Sequence, residues 1–322
     1  MIPYLNMNCR IVVGPLLFLI CHKITIESNL MTIGDTATIS LPKNFKKLKD
    51  KSVLDYIKAG DKVTIDWGYN GKFTRQFDGF VRQIEAETPL VIHCDDSFFP
   101  LKTAMFSKAY KSTTLKQLLS DMLPGYELEV PAVNLGQYVI SKSSVFEAIK
   151  KIQKDTGLYA TLRGKKLTMS FAYQWKAETR SLIYDRQENV RKSDLKWKRK
   201  EDVNVEIQVS YIDPAGKKQV VKRGNTGVEN LIVKKQKVNL GAGQGSAEQL
   251  ADAKLNQYAY DGYTGSITGF GVPDTHVGDT LELKDTRNPE KDGFYIIEKV
   301  VAEYESAHIS RQNTLGRKLD NA

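Results

Sequence analysis

Cysteine is scarce in this chain: Cys9, Cys21 and Cys94 are the only three in 322 residues. No CxxC pair is present and an odd number cannot all bridge, which excludes a disulfide framework and reads as buried thiols of a reducing compartment. Long apolar runs are missing too. The stretch from Ile11 to Cys21 is too short to span a bilayer. It contains Gly14 and Pro15, and no small-residue cleavage site follows it. It continues directly into Lys23-Ile24-Thr25-Ile26-Glu27, which alternates like a strand, so a buried hairpin is expected rather than a signal peptide, with no membrane insertion. The sequence also lacks GxSxG, HExxH, a P-loop and GxGxxG. No catalytic, cofactor-binding or metal-ligating residue is assigned, and the chain is read as a non-enzyme.

What is present suits a soluble globular protein of two or three domains, 41% hydrophobic and 26% charged. The formal charge of +9 permits an acidic partner or nucleic acid without requiring either. The most informative feature is a duplication. An early unit reads Gly60-Asp61-Lys62-Val63-Thr64-Ile65 and then Asp78-Gly79-Phe80-Val81. A late one reads Gly278-Asp279-Thr280-Leu281-Glu282-Leu283 and then Asp292-Gly293-Phe294-Tyr295. Each is a GD turn, an alternating strand, a turn-rich stretch and a DGF that opens a second apolar strand. A repeat of this size predicts two related β domains in one chain.

Residues 9–100 read as β. Ala37, Ile39 and Leu41 alternate with Thr36, Thr38 and Ser40, and Val63, Ile65 and Trp67 alternate again. Asn70-Gly71 supplies the left-handed backbone of a tight hairpin, with strands expected at 73–77, 80–87 and 90–95. A short helix is expected over 52–59, capped by Ser52 and stopped at Gly60. Near Pro100 the pattern changes. Leu115, Leu118, Leu119 and Met122 recur at helical spacing, and Ser144-Val145-Phe146-Glu147 opens a second helix with a capping box that ends at Gly157. A hairpin across Arg163-Gly164 follows. Val203 to Tyr211 alternate, Asp213-Pro214-Ala215-Gly216 is a turn, and Gly241 to Gly245 is a connector into a helix capped by Ser246. The expected class is α+β, mostly β: a first barrel-like domain over 1–100, an α/β module over 101–173, and a second barrel-like domain over 174–322 with a small insertion around 216–262.

Several clusters carry side chains capable of chemistry. His93-Cys94-Asp95-Asp96 alternate across a strand and cannot converge on one ion. Glu85 and Glu87 share a strand face, and a solvated face explains them better than a glycosidase dyad. His22, His276 and His308 are isolated. Two basic runs stand out, Phe45 to Lys51 and Arg191 to Lys200, the second enclosing Trp197-Lys198-Arg199. These suit either an interface with an acidic neighbour or single-stranded nucleic acid.

Taken together, the segments resemble the baseplate hub proteins of phage tails and related contractile injection machines: the T4 hub protein, the Mu-type 43–45 kDa tail protein and the N-terminal part of the VgrG spike. The likeness is carried by Asp35 to Pro42, Ile57 to Val63 with Gly68-Tyr69-Asn70-Gly71, Phe77 to Val81, Ser144 to Ile149 with Thr156 to Tyr159, and Gly278 through Gly316. It implies a homotrimer whose six tube-type barrels form a pseudo-hexameric ring. That ring would join the hexameric tail tube protein to a trimeric spike or tip. The implied setting is a virion tail assembled in the bacterial cytoplasm, among other baseplate proteins, with DNA or a tape measure passing through the lumen. With no β-helix after residue 322, the spike is expected to be a separate chain. The alternative reading is a basic β-barrel that binds single-stranded nucleic acid, and a cell-wall hydrolase is a third.

Overall fold

The computed structural model describes residues 6–42, 52–171, 182–213, 216–225, 230–237, 244–289, 292–306 and 308–319. The basic run at 45–51, the 241–243 part of the glycine connector and the centre of the turn at 214–215 lie outside them.

The N-terminal stretch is all β: β1 (Met7–Val13), β2 (Leu16–Phe18), β3 (Lys23–Asn29), β4 (Thr36–Leu41), β5 (Lys62–Tyr69), β6 (Lys72–Glu85) and β7 (Leu90–Asp95). The apolar run is a hairpin, with Val13 opposite Leu16 and Gly14 at φ +53° in the turn. Alternation places Cys9, Ile11 and Val13 of β1 and Ala37, Ile39 and Leu41 of β4 in the core. Asn70 and Gly71 both take positive φ and join β5 to β6 in the two-residue turn that the strand twist favours. β6 runs unbroken through the DGF, where two strands were expected, because β5 pairs with Asp78, Gly79 and Phe80 and the β7 ladder takes over from Phe80.

The helix expected over 52–59 shrinks to one 3-10 turn, Val53–Asp55. Its continuation is diverted because the Lys58 N–H donates to the Asp61 carboxylate at 2.8 Å instead of to a carbonyl four residues back.

The middle stretch holds β8 (Met105–Thr114), α1 (Leu115–Met122), β9 (Glu127–Glu129), β10 (Asn134–Ser144), α2 (Val145–Thr156), β11 (Leu158–Arg163) and β12 (Lys166–Phe171). Thr114 and Ser144 cap the two helices, accepting from the Gln117 and Glu147 N–H groups at 3.2 Å. The β11–β12 turn is Gly164-Lys165, one residue beyond the expected position.

The last stretch holds β13 (Leu182–Asp185), β14 (Val190–Lys198), β15 (Val205–Ile212), β16 (Lys218–Gly224), β17 (Ile232–Lys237), α3 (Gln244–Tyr258), β18 (Gly262–Phe270), β19 (Thr280–Lys284), β20 (Gly293–Glu305) and β21 (His308–Leu319). α3 begins at Gln244, so Ser246 lies inside its first turn and is not its cap.

Burial sorts these elements into two cores. One unites β1, β3–β7, β13 and β18–β21 around Trp67, Tyr184, Tyr295 and a set of Ile, Leu and Val side chains. The other is built from two distant segments. Leu118, Ile149, Ile152, Leu158 and Leu167 pack with Ile207 and Val209 of β15 and with Ala247, Leu250 and Ala251 of α3. A methyl added at Gly157, the left-handed residue ending α2, would meet Leu250 at 2.6 Å. The helices of the middle stretch therefore share a core with residues about 55 to 130 positions downstream.

Thirteen strands among the described residues form one sheet, in the order β14-β18-β21-β20-β3-β4-β7-β6-β5-β1-β2, with β13 and β19 attached beside β20. No pairing among the described residues closes either half into a barrel.

Because Ile207 is fully buried in the core that the two segments build together, Ile207→Ala is expected to cost about 2–5 kcal/mol. It should also speed amide exchange in α2, far away in sequence. Hydrogen-exchange mass spectrometry checks this; unchanged α2 protection would separate the two segments.

Candidate functional site: duplicated turns and sheet edges

The two GD turns are held by the same bonds. Gly60 has φ +90° and Gly278 +86°, a conformation that favours glycine. The Gly60 N–H donates to the Val81 carbonyl at 2.8 Å and the Val81 N–H returns to Asp61 at 2.8 Å. Gly278, Ile297 and Asp279 repeat this at 2.9 and 2.9 Å. Each aspartate also folds back on its own turn. Asp61 accepts from the Lys58 N–H at 2.8 Å and Asp279 from the His276 N–H at 2.7 Å.

The DGF triplets are placed differently. Phe80 lies opposite Lys62, whereas Phe294 lies opposite Glu282, two residues farther from its turn. A shift of two keeps every side chain on its original face. Asp78 is exposed and pairs with Arg75 at 3.2 Å, while Phe80 stacks on Phe99. Asp292 accepts from the Asp285 N–H at 2.7 Å. Gly79 is tightly confined: a methyl there would meet the Asp95 carbonyl oxygen at 2.2 Å and the Phe77 ring at 2.7 Å. At Gly293 it would meet only the end of the Lys318 side chain, at 2.3 Å.

Beyond the turns the halves keep the same strand order. The first runs β5-β6-β7-β4-β3 and the second β19-β20-β21-β18-β14. Each GD-contacting strand also carries a bulge. Arg82 is the extra residue between Val81 and Gln83, and Glu298 the extra residue between Ile297 and Lys299. After its bulge, β20 leaves β19 and pairs with β3, from Lys299 opposite Asn29 to Glu305 opposite Lys23. This seam joins the halves. It buries Ile24, Ile26, Val300, Ala302 and Tyr304, and it carries ion pairs from Lys23 to Glu303 and Glu305 (both 2.8 Å) and from Lys299 to Glu27 (3.0 Å). Nearby, the buried Arg311 ties the halves again, donating to the Thr275 carbonyl at 2.7 Å and to Gln76 of β6. Sequence reading missed Arg311, since nothing marks an arginine in a strand as buried.

The other sequence candidates disperse. His93 meets Glu85 at 2.9 Å, Cys94 is buried in the core, Asp95 pairs with Arg82 and Lys102, and Asp96 accepts from the Asp35 and Phe98 N–H groups. Burial raises the Asp96 carboxyl to about 7. Glu303, Glu305 and His308 come together, but Lys23 already bridges both carboxylates.

The second basic run forms β14, an outer strand that among the described residues pairs on one side only, with β18. Trp197 is 40% exposed and meets Tyr263 edge-on at 5.2 Å. Lys198 lies over the Tyr260 ring at 4.4 Å, and Arg199 is paired with Asp202 and Glu201. Among the described residues no helix is long and apolar enough to cross a membrane.

Solved structures resolve the likeness. A tail protein from Neisseria meningitidis MC58 aligns at TM-score 0.67 and 14% identity, over 98% of this chain and 97% of that one. The chain has the baseplate hub-like fold. The 43 kDa tail protein of prophage MuSo2 from Shewanella oneidensis aligns at 0.64 and 15% identity, over 96% and 98%. The Escherichia coli protein c3393, described as a type VI secretion component structurally similar to T4 tail proteins gp27 and gp5, aligns at 0.59 and 9%, over 98% and 77%. No protein-family profile and no curated protein matches the sequence. At these identities it is the fold that is shared.

Two outcomes follow for the duplicated units of this hub-like fold. Gly79→Ala should lower stability by about 3 kcal/mol because backbone must move, whereas Gly293→Ala should cost under about 1 kcal/mol because Lys318 can swing aside. Urea titration of both variants checks the order.

The second concerns Asp285, which lies beside the second DGF and is 1% exposed. Burial alone would raise its carboxyl, but bonds from Gln187, Asn288, the Arg287 N–H and Arg186 outweigh it and hold it at about 2. The stabilisation is therefore present above the ordinary carboxyl value and lost as pH falls toward about 2. The Tm gap between the parent and Asp285→Asn should shrink between about pH 5 and about pH 2; a constant gap would contradict it.

Proposed function

We infer that the chain is a structural component of a phage tail or related injection machine, acting as a hub adaptor. The observation that carries this reading is the internal pairing of GD turns, bulges and strand order within a hub-like fold. A sixfold tube can be met by a threefold assembly only if each subunit offers two similar edges, and the duplication supplies them. In this reading each half is one tube-type barrel unit, three copies form the pseudo-hexameric ring, and the ring joins the tail tube to a spike or tip in the virion tail. The stretch from β8 to β12, packed with β15 and α3, decorates the ring. The role is geometric and involves no turnover. The nucleic-acid alternative draws no support from Trp197, whose ring is met edge-on by Tyr263 and is not set in a ladder of parallel aromatics.

Purified protein, alone or co-expressed with a tail tube protein, is expected to give trimers by mass photometry and ring-shaped threefold classes by negative-stain microscopy. Compact monomers under both conditions would overturn the reading.

A further inference from the structure

The seam between β20 and β3 joins the two halves inside one chain, but each half also has the counterpart of a seam strand left over. Val81 and Ile297 make the same bonds to their GD turns, which aligns Arg82 with Glu298 and Gln83 with Lys299. Gln83 lies opposite His93 and Lys299 opposite Thr314; across the next ladder, His93 faces Thr38 and Thr314 faces Ser266. One ladder farther, Thr38 faces Thr25 and Ser266 faces Asp194. β14 is thus the counterpart of β3, with Lys196, Trp197 and Lys198 in the places of Glu27, Ser28 and Asn29.

In the chain, Asn29, Ser28 and Glu27 are covered by Lys299, Val300 and Val301. Among the described residues, neither counterpart edge is covered. β14 pairs only with β18, and β6 past Phe80 pairs only with β7.

We propose that the β14 edge of one copy adds to the β6 edge of the next copy, antiparallel, with Lys198 opposite Gln83, Trp197 opposite Ile84 and Lys196 opposite Glu85. This rests on the ring reading above and gives it a specific joint.

The chemistry of the two edges supports a second copy of the chain as the partner. β14 presents Arg191, Lys192, Lys196 and Lys198, while the strand end it would meet carries Glu85 and Glu87. The in-chain seam is likewise laced with Lys–Glu pairs. The half-exposed Trp197 would be set against the half-buried Ile84, which holds in β6 the place that the buried Val300 holds in β20. His93 engages only Oε1 of Glu85. The contact is head-to-tail, one edge giving and the other receiving, so identical joints repeat until the ring closes and neither counterpart edge stays open.

The test uses the full chain with Glu85→Cys and Lys196→Cys together, treated with a short bifunctional maleimide. Covalent dimers and trimers are expected on denaturing gels, absent from the parent, from either single variant, and from Ile84→Cys/Lys196→Cys, whose thiols point to opposite faces. Because all these positions are at least partly exposed, folding is checked by circular dichroism. Independently, Lys196→Glu should weaken trimer formation roughly tenfold, and adding Glu85→Lys should restore most of it. Trimers by mass photometry without the in-register cross-link or the charge-swap rescue would overturn this joint while leaving the ring reading intact. Monomers under every condition would overturn both.

Discussion

Everything in this molecule hangs on the pairing of β20 with β3. It brings residues 299–305 beside residues 23–29 and turns two separately readable halves into one sheet. Its strength does not come from the visible ion pairs. Lys23, Glu303 and Glu305 are part exposed, and such pairs contribute at most about 1 kcal/mol each. It comes from an unbroken backbone ladder over a buried layer of Ile24, Ile26, Val300, Ala302 and Tyr304. The ring of Tyr304 reaches Trp67 of the first half at 5.9 Å. Side chains across the seam then fix the register, because a one-residue slip would turn that layer to solvent.

The bulges at Arg82 and Glu298 make this arrangement available. An inserted residue bends a strand and lets its edge change partner. β20 uses its bulge to leave β19 and take up β3, so a single long strand serves two neighbours on one edge. β6 has the bend without a second partner among the described residues. The duplicated unit thus carries an edge that β20 fills within the chain and that, among the described residues, β6 leaves without a second strand.

Much of this was legible from residues alone. Strict alternation in β4, β5 and β15 gave the strands, because period two is the only pattern that buries one face of a sheet. Ser144 and Gly157 marked the ends of α2 through local chemistry that no tertiary contact overrode. The failures were also local. The turn at 53–55 looked like a longer helix because the Asp61 carboxylate that intercepts the Lys58 N–H lies beyond the helical window. Ser246 looked like a cap because it preceded a capping-box glutamine, yet α3 begins two residues earlier.

The sequence by itself determined the duplication, the strand faces and the absence of familiar catalytic signatures, since each depends on residue type at short spacing. Tertiary structure alone decided that the DGF triplets are offset by two positions, that Arg311 is buried between the halves, and that β15 and α3 complete the core of α1 and α2. Those facts depend on which distant strands meet, and no local pattern encodes that choice. The free energy of a strand edge is nearly the same for many partners until the buried layer behind it selects one.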